Sequence, residues 1–327
     1  VNESVRDIGE QGLLQRLQRF CPAEVVGDDA ALLTPHPGLD LVVTTDMLVD
    51  GVHFSEQTTA PEDVGWRAVA ANLSDLAAMG ASPLGLTIGL GIAADQSVAW
   101  IERLYQGMAD CLATYGTVLV GGDISRSPVR ILSITALGQV AHHQAIRRNQ
   151  AQAGDALLVT GVHGAARAGL ALLLDPNWGQ DLGAPERQAL MLYHQRPRPR
   201  LEVITTLRQQ FPTARVAGMD SSDGLADAVL QICRASGVGA KIDSLPMPKA
   251  LQQTASLSPA QAQDWCLYGG EDFELVLSLP RPVAEQLLPQ LGSDAQIIGE
   301  ITAQNGVYLV TPAEQTPLSL SRGFQHF

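Results

Sequence analysis

Cysteine is scarce in this chain, and what there is does not pair. The four cysteines among 327 residues, Cys21, Cys111, Cys233 and Cys266, are dispersed and form no CxxC. That spacing speaks against a zinc site and fits thiols in a reducing compartment better than a disulfide framework. Basic residues are few as well. Against 34 Asp and Glu stand 21 Lys and Arg, a formal net charge of -13 that argues against a general nucleic-acid binder. Only 17% of the residues are charged while 46% are hydrophobic, so the chain can bury sizeable cores and carries no signature of disorder. No GxxxxGK[ST] segment occurs, which excludes a P-loop, and the protein-kinase signature set is missing.

Long hydrophobic runs are also lacking. The stretch that comes nearest to a membrane span, free of charge from Asp75 to Asp95, is broken by Gly80, Pro83, Gly85, Gly89 and Gly91. It reads as a helix end, a turn at Ser82-Pro83 and a buried strand LGLTIGLGI. The opening VNESVRDIGEQG is polar, without the apolar core of a signal peptide. The expectation is a soluble, cytoplasmic protein.

What is present alternates between strand and helix patterns. LDLVVTTDM (39–47) reads as a strand ending at Asp46, and PEDVGWRAVAANLSDLAAMG (61–80) as a helix opened by Pro61 and two acids. Strands near 84–92, 117–122 and 129–140 surround a helix over 95–115, in which Val98, Ile101, Leu104 and Met108 share a face. After the polar stretch HHQAIRRNQAQAGD a new pattern begins, with DALLVTG as a strand and AARAGLALLL as a helix. Further helices are expected over 185–194, 199–211, 223–235 and 281–291, and strands over 239–243, 273–279, 295–300 and 306–310. The alternation predicts two α/β or α+β domains, 1–148 and 149–327.

Acidic turns recur through this pattern. Asp28 and Asp29 stand together in GDDAAL, Asp46 in TTDML, Asp123 in LVGGDIS, Asp220 and Asp223 in MDSSDGL, and Glu271 and Asp272 in YGGEDFEL. Each alone fits a turn, because Gly and Asp tolerate turn geometry. Repeated at the ends of apolar segments, they favour a metal and phosphate site. Asp75, inside the nearly apolar helix segment ANLSDLAAMG, is either a carboxylate on the wet side or a ligand; a bare one among Ala70, Leu73 and Ala77 would be costly. Carboxylates and hydroxyls without His or Cys clusters suit Mg²⁺ or Mn²⁺, and the glycines of GGD, GGED and TGVHG allow phosphates close to the backbone. Arg147 and Arg148 read either as phosphate contacts or as solvated charges. His53 in DGVHF reads as a substrate contact or a structural residue, and the tail RGFQHF as a stacking lid or a tucked end.

Together GDDAAL, TTDMLVDGVHF, NLSDLAAMGASP, GGDISR, AIRRNQAQAGD, SDGL, GGEDFEL and GFQHF resemble the thiamine-monophosphate kinase family. NLSDLAAMGA and GGED are shared with the wider superfamily of aminoimidazole ribonucleotide synthetase, selenophosphate synthetase and a hydrogenase-maturation protein. DGVHF and the terminal aromatics point to the thiamine branch. The resemblance implies the two-domain aminoimidazole ribonucleotide synthetase-like fold. In it an N-terminal mixed-sheet domain pairs in a homodimer, and a C-terminal α/β domain closes over ATP and substrate. It implies Mg²⁺ ligands at Asp29, Thr44, Thr45, Asp46, Asp75, Asp123, Asp220 and Asp223. Nucleotide contacts are implied at Tyr105, Gly122, Asp123, Arg148 and Ser222, and substrate contacts at His53, Glu271 and Phe324. Ser221 departs from the family, where that position is often apolar. The implied reaction is ATP with thiamine monophosphate giving ADP and thiamine diphosphate by direct in-line transfer, assisted by several Mg²⁺ ions. Alternatives are another acceptor within the same superfamily, with Cys21 the residue to weigh for selenium chemistry, or a nucleotide-binding regulator without turnover.

Overall fold

The computed structural model describes residues 3–23, 25, 30–319 and 322. They form two compact units. One holds the chain up to Leu76 together with Ala81–His142; the other holds Ala77–Gly80 and the chain from His143 onward. The expected boundary at 148 therefore falls inside the second unit. Ile146 is fully buried in that unit's core, and Arg147 forms a bridge with Ala217.

The first unit comprises α1 (Val5–Leu17), β1 (Leu39–Val49), α2 (Pro61–Ala78), β2 (Ser82–Ile92), α3 (Val98–Thr114), β3 (Leu119–Arg126) and β4 (Ile131–Ala141), with the last turn of α2 counted in the second. Its sheet has the order β1-β4-β2-β3. β2 and β3 are parallel, which requires a crossover, and α3 supplies it. β4 runs antiparallel to both β1 and β2. Alternate side chains of β2 and β4, Ile88, Leu90, Leu132 and Ile134, are buried, as are Leu73 and Leu76 of α2 and Ile101, Leu104 and Met108 of α3. α2 and α3 cross backbone to backbone. A Cβ on Gly107 would lie 1.8 Å from the Glu62 carbonyl oxygen, and one on Gly65 2.0 Å from that of Leu104. The other sheet face is open. There the outward residues of β1, Leu41, Val43 and Met47, are each about half exposed (52%, 56% and 54%).

The second unit comprises β5 (Asp155–Val159), α4 (Ala165–Leu174), α5 (Ala184–Gln195), α6 (Leu201–Gln210), β6 (Ala217–Asp220), α7 (Leu225–Ser236), β7 (Gly239–Ile242), α8 (Lys249–Gln253), α9 (Pro259–Tyr268), β8 (Leu275–Pro280), α10 (Arg281–Leu287), β9 (Gln296–Thr302), β10 (Gly306–Val310) and β11 (Gln315–Pro317). The sheet order is β11-β10-β7-β9-β5-β8-β6, and among the described residues only the β7–β10 pair is parallel. Every residue of β5 is buried, because helices cover both faces. Leu157 and Val159 join a core with Leu225, Val229 and Ile232 of α7. Their neighbours Ala156 and Leu158 join a second core with Val203 and Leu207 of α6 and Ala284 and Leu287 of α10. The period of two sends successive residues to opposite layers. No helix among the described residues is long and apolar enough to cross a membrane.

Candidate active site

In the first unit, the strand β1 and the helix α2 place three of the expected residues together. Thr44 and Asp46, two apart, share the helix-facing side of β1; Asn72 and Asp75, three apart, share a face of α2. The Thr44 hydroxyl donates to Asp75 Oδ2. The Asp46 N–H donates to Asn72 Oδ1 at 3.1 Å, while Asn72 Nδ2 donates to the Ala68 carbonyl at 3.0 Å. Asp75 is the one residue of 71–78 that is not buried. It lies at the rim of an apolar helix, where its charge keeps access to solvent.

The strand-end placement expected of Asp46 and Asp123 is corrected by the structure, since both lie inside strands. β1 continues to Val49, and β3 runs through Asp123 to Arg126. Consequently the pleat, not a turn, decides where each side chain goes. Register links Asp46 to Ile134, Ile134 to Ile88, and Ile88 to Gly122, one row across the helix-covered face. Its ends are three strand spacings apart, about 14 Å. Gly122 is required there by the sheet itself, because a Cβ would meet the Ile88 carbonyl oxygen at 2.3 Å. The next row, Met47, Ser133, Gly89 and Asp123, belongs to the open face. Asp123 is exposed there, with Ser125 Oγ 3.5 Å from its Oδ2. Thr45 also turns to the open face, its hydroxyl 2.8 Å from that of Thr135. The structure thus gathers Thr44, Asp46 and Asp75, and sets Thr45 and Asp123 on the opposite side of the sheet.

Two further expectations in this unit differ in outcome. His53 follows the turn at Gly51, and its Nδ1 accepts the Val49 N–H at 3.1 Å. That contact leaves the ring proton on Nε2, so the imidazole is oriented as a donor. Tyr105 is 5% exposed, its ring packed 5.7 Å from that of Phe20, and burial pushes its phenol well above the usual range. It packs with the buried residues of α3. Asp29 and Phe324, with Gly27 and Asp28, lie outside the described residues.

In the second unit, β6 ends on Asp220, and the turn that follows carries Ser222 and Asp223. Ser222 Oγ donates to Asp220 Oδ1 at 3.1 Å; Asp220 is buried and Asp223 exposed. Along the first turns of α7 a polar line continues. Arg148 donates to Gln231 Oε1, and Gln231 to Asp227 Oδ2 at 2.6 Å. Burial raises the Asp227 carboxyl, and the Asp223 charge raises it further. Arg148 itself is exposed.

The GGEDF segment is bound to this turn. Glu271 donates its N–H to the Ser222 carbonyl at 2.7 Å. Its φ of 71°, like the 52° of Phe273, is left-handed, a conformation rare for residues with side chains and one that clusters at functional sites. Glu271 Oε2 lies 3.7 Å from Nδ1 of the buried His194. Asp272 points the other way, accepting the Gly164 N–H at 2.6 Å and the Ala166 N–H at 2.8 Å at the start of α4. Burial pushes its carboxyl up to about 8 against those two donors. Glu274 receives Arg200 at 2.6 Å and 2.5 Å and the Thr160 hydroxyl at 2.6 Å. Burial pulls the Arg200 guanidinium down, and the Glu274 carboxylate more than reverses that, holding it charged. Nothing along the chain marks the Arg200–Glu274 pair, whose members are 74 positions apart. His163 stands in TGVHG, a motif in which the glycines alone point to function.

The donor chemistry fits Mg²⁺ held with a nucleotide. Three of the expected ligand carboxylates each meet a hydroxyl: Asp75 that of Thr44, Asp123 that of Ser125 and Asp220 that of Ser222. Among the described residues no group of three or more His, Cys, Asp or Glu gathers to hold a metal. A structural zinc needs such a group, whereas Mg²⁺ is usually bound by one or two carboxylates, waters and the substrate's own phosphates.

Residues 27–140 match the AIR synthase related protein N-terminal domain, and residues 152–311 the corresponding C-terminal domain. The chain is 53% identical to the thiamine-monophosphate kinase of Synechococcus elongatus, over 100% of its own length and 98% of that protein's. A crystal structure of thiamine-monophosphate kinase from Stenotrophomonas maltophilia is similar in fold, with a TM-score of 0.78, 36% identity and coverage of 91% of this chain and 94% of that one. AaThiL complexed with AMPPCP and TMP superposes with a TM-score of 0.77 at 30% identity, over 99% of both chains.

Proposed function

This chain belongs to the thiamine-monophosphate kinase family, with the two-domain AIR synthase-like fold, and from that membership we propose how its own residues carry the reaction. The activity is that of a kinase: ATP-dependent phosphorylation of thiamine monophosphate. The acceptor is a phosphate monoester with a second pKa of about 6, so it arrives largely as a dianion and requires no base from the protein. The work left to the chain is to hold two polyanions close and in line, so that the phosphoryl group passes directly between them.

Mg²⁺ ligation is assigned to Asp46 and Asp75 with Thr44 on the helix-covered face of the first sheet, to Thr45 and Asp123 on its open face, and to Asp220 and Asp223, with Asp29 retained from the sequence. When bound, Mg²⁺ screens the repulsion between phosphates and takes up charge developing on the transferred group. Thr44 orients the Asp75 carboxylate, and Ser222 orients that of Asp220. The Gly122 backbone, Ser222 and Arg148 are assigned to the nucleotide. His53, with its proton on Nε2, is assigned as a donor to the acceptor phosphate, and Glu271 with Phe324 to the thiamine portion. What supports this reading best is the oxygen-only pairing at Thr44–Asp75 and Ser222–Asp220, at positions the family resemblance names.

The protein is proposed to act as a homodimer. The half-exposed row Leu41, Val43 and Met47 on edge strand β1 is an apolar strip that a second copy would cover. The open face bearing it also carries Thr45 and Asp123. Three of its free cysteines are buried, consistent with the cytoplasmic location proposed.

The deciding experiment is a mass-resolved assay with ATP and Mg²⁺, offering thiamine monophosphate and, separately, free thiamine. Thiamine diphosphate should form from the monophosphate alone and vanish with EDTA. Product from neither acceptor, with ATP still bound, would overturn the acceptor assignment.

A further inference from the structure

Ser221 and His163 are fully buried polar residues that the reaction as described does not use. They meet in the core of the second unit, His163 Nε2 lying 3.0 Å from Ser221 Oγ. The same hydroxyl oxygen accepts the Glu274 N–H at 3.2 Å, so its own hydrogen is available to donate to the imidazole. Burial pulls His163 down to about 3, which keeps the ring neutral and able to accept that proton at ordinary pH.

Ser221 lies between Asp220 and Ser222, while Glu274 lies three residues beyond Glu271. Main-chain bonds join the two segments on either side of the hydroxyl. The Ser221 N–H donates to the Glu274 carbonyl at 2.8 Å, and the Glu271 N–H to the Ser222 carbonyl at 2.7 Å. The Gly224 N–H closes the turn onto the Ser221 carbonyl at 3.0 Å. His163 comes from a third segment, anchored by its N–H to the Pro246 carbonyl at 2.6 Å and followed by Gly164, whose N–H Asp272 accepts. Three loops therefore meet at one buried hydroxyl. A serine is notable here because the family resemblance expects an apolar side chain at this position.

We propose that Ser221, oriented by His163, is a positioning residue that binds the 220–224 turn to the 271–274 segment, so that the nucleotide contact Ser222 and the substrate contact Glu271 are held as one rigid body. This rests on the assignment of Ser222 and Glu271 given above. Removing the hydroxyl leaves the Glu274 N–H and the His163 ring without their shared partner in the core, whereas removing both polar side chains together leaves fewer unmet groups. The two positions should consequently be coupled.

The test uses the whole chain as wild type, Ser221→Ala, His163→Gln, His163→Leu and the double variant Ser221→Ala/His163→Leu. Peptide-resolved hydrogen exchange over 220–224 and 271–275 is measured beside kcat and KM for both substrates. Ser221→Ala is expected to speed exchange in both segments together by about tenfold, the effect of one lost hydrogen bond. It should also raise KM for ATP and for thiamine monophosphate in parallel. His163→Gln, which keeps a polar group near the Nε2 position, should show both effects more weakly than His163→Leu, and the double variant should be less impaired than the sum of Ser221→Ala and His163→Leu. Faster exchange confined to 220–224, or unchanged KM for both substrates, would overturn the proposal. Should Ser221→Ala fail to fold, Ser221→Cys keeps the volume with a weaker donor, and the same pair of readouts decides. Full turnover by Asp220→Asn and Glu271→Gln would instead overturn the site assignment, while the exchange result would still report on the coupling itself.

Discussion

The two units treat their acidic residues in opposite ways. In the first, a four-stranded sheet covered on one face leaves its carboxylates at a rim or on an open face, each tied by few bonds: Asp75 to Thr44, Asp123 to Ser125. In the second, a seven-stranded sheet covered on both faces buries Asp155, Asp272 and Glu274 and satisfies them with guanidinium, hydroxyl and main-chain donors. The physical difference is the cost of burial. A carboxylate at a rim keeps water or a cation within reach, while one in a core must be matched completely or be destabilising. Acids of the first kind are available for ligands, and those of the second kind are fasteners; in the second unit Asp223 is exposed and Glu271 partly so, while Asp220 is buried.

That contrast is most exposed to failure at Asp46 and Asp75. Asp46→Asn or Asp75→Asn is expected to lower turnover by roughly a thousandfold or more, with the thermal midpoint little changed. Steady-state rates and a melting curve check both halves, and a variant that kept most of its activity would remove these residues from the ligand set.

The converse holds at Glu274. Glu274→Gln should destabilise the protein by about 3–5 kcal/mol, the cost of leaving a buried guanidinium without its partner. Denaturant titration measures it, and replacing Arg200 and Glu274 together by apolar residues should cost much less.

Acid pH offers a smaller test of the same fasteners. Burial pushes the Asp155 carboxyl up, yet Arg215 at 2.7 Å and 2.6 Å, the Gln152 N–H and the Ser278 hydroxyl together hold it below its ordinary 3.8. A depressed folded value means that its contribution is complete above 3.8 and is lost as pH falls through the lower folded value. Asp155→Asn should therefore be less stable at neutral pH, with a flatter stability curve below about pH 4. A variant whose acid limb matched the wild type would show that this pair contributes nothing.

The smallest effect on folding is expected on the open face. Val43→Glu or Met47→Glu should change unit stability by no more than about 0.5 kcal/mol, as exposed positions do. It should nevertheless shift the sedimentation profile from dimer to monomer. A wild type that already sediments as a monomer would end the dimer proposal.

Much of the fold was legible along the chain. The helix at 165–174 and the strand at 306–310 have the expected limits, because Gly164 and the β-rich run of 306–310 mark them locally. α8, α9, β6 and β11 were not anticipated. β6 is four residues long, AGMD, too short for a period, and it becomes a strand only by pairing with β8. Of the candidate site, Thr44, Asp46 and Asp75 were named from motifs, yet their grouping depends on α2 lying over β1. Thr45 was named beside them, and the pleat alone turned it to the other face.

The sequence by itself determined which side chains are present for the chemistry, with oxygen donors for the metal, together with the family and the alternation of strand and helix, since these rest on residue type and local spacing. Tertiary structure decided which acids stay accessible and which become fasteners. It also decided that Tyr105 is core and that Ser221 meets His163, 58 residues away. Burial and partnership between distant segments exist only after the chain has closed, and they set the cost of a charge far more strongly than its neighbours in sequence do.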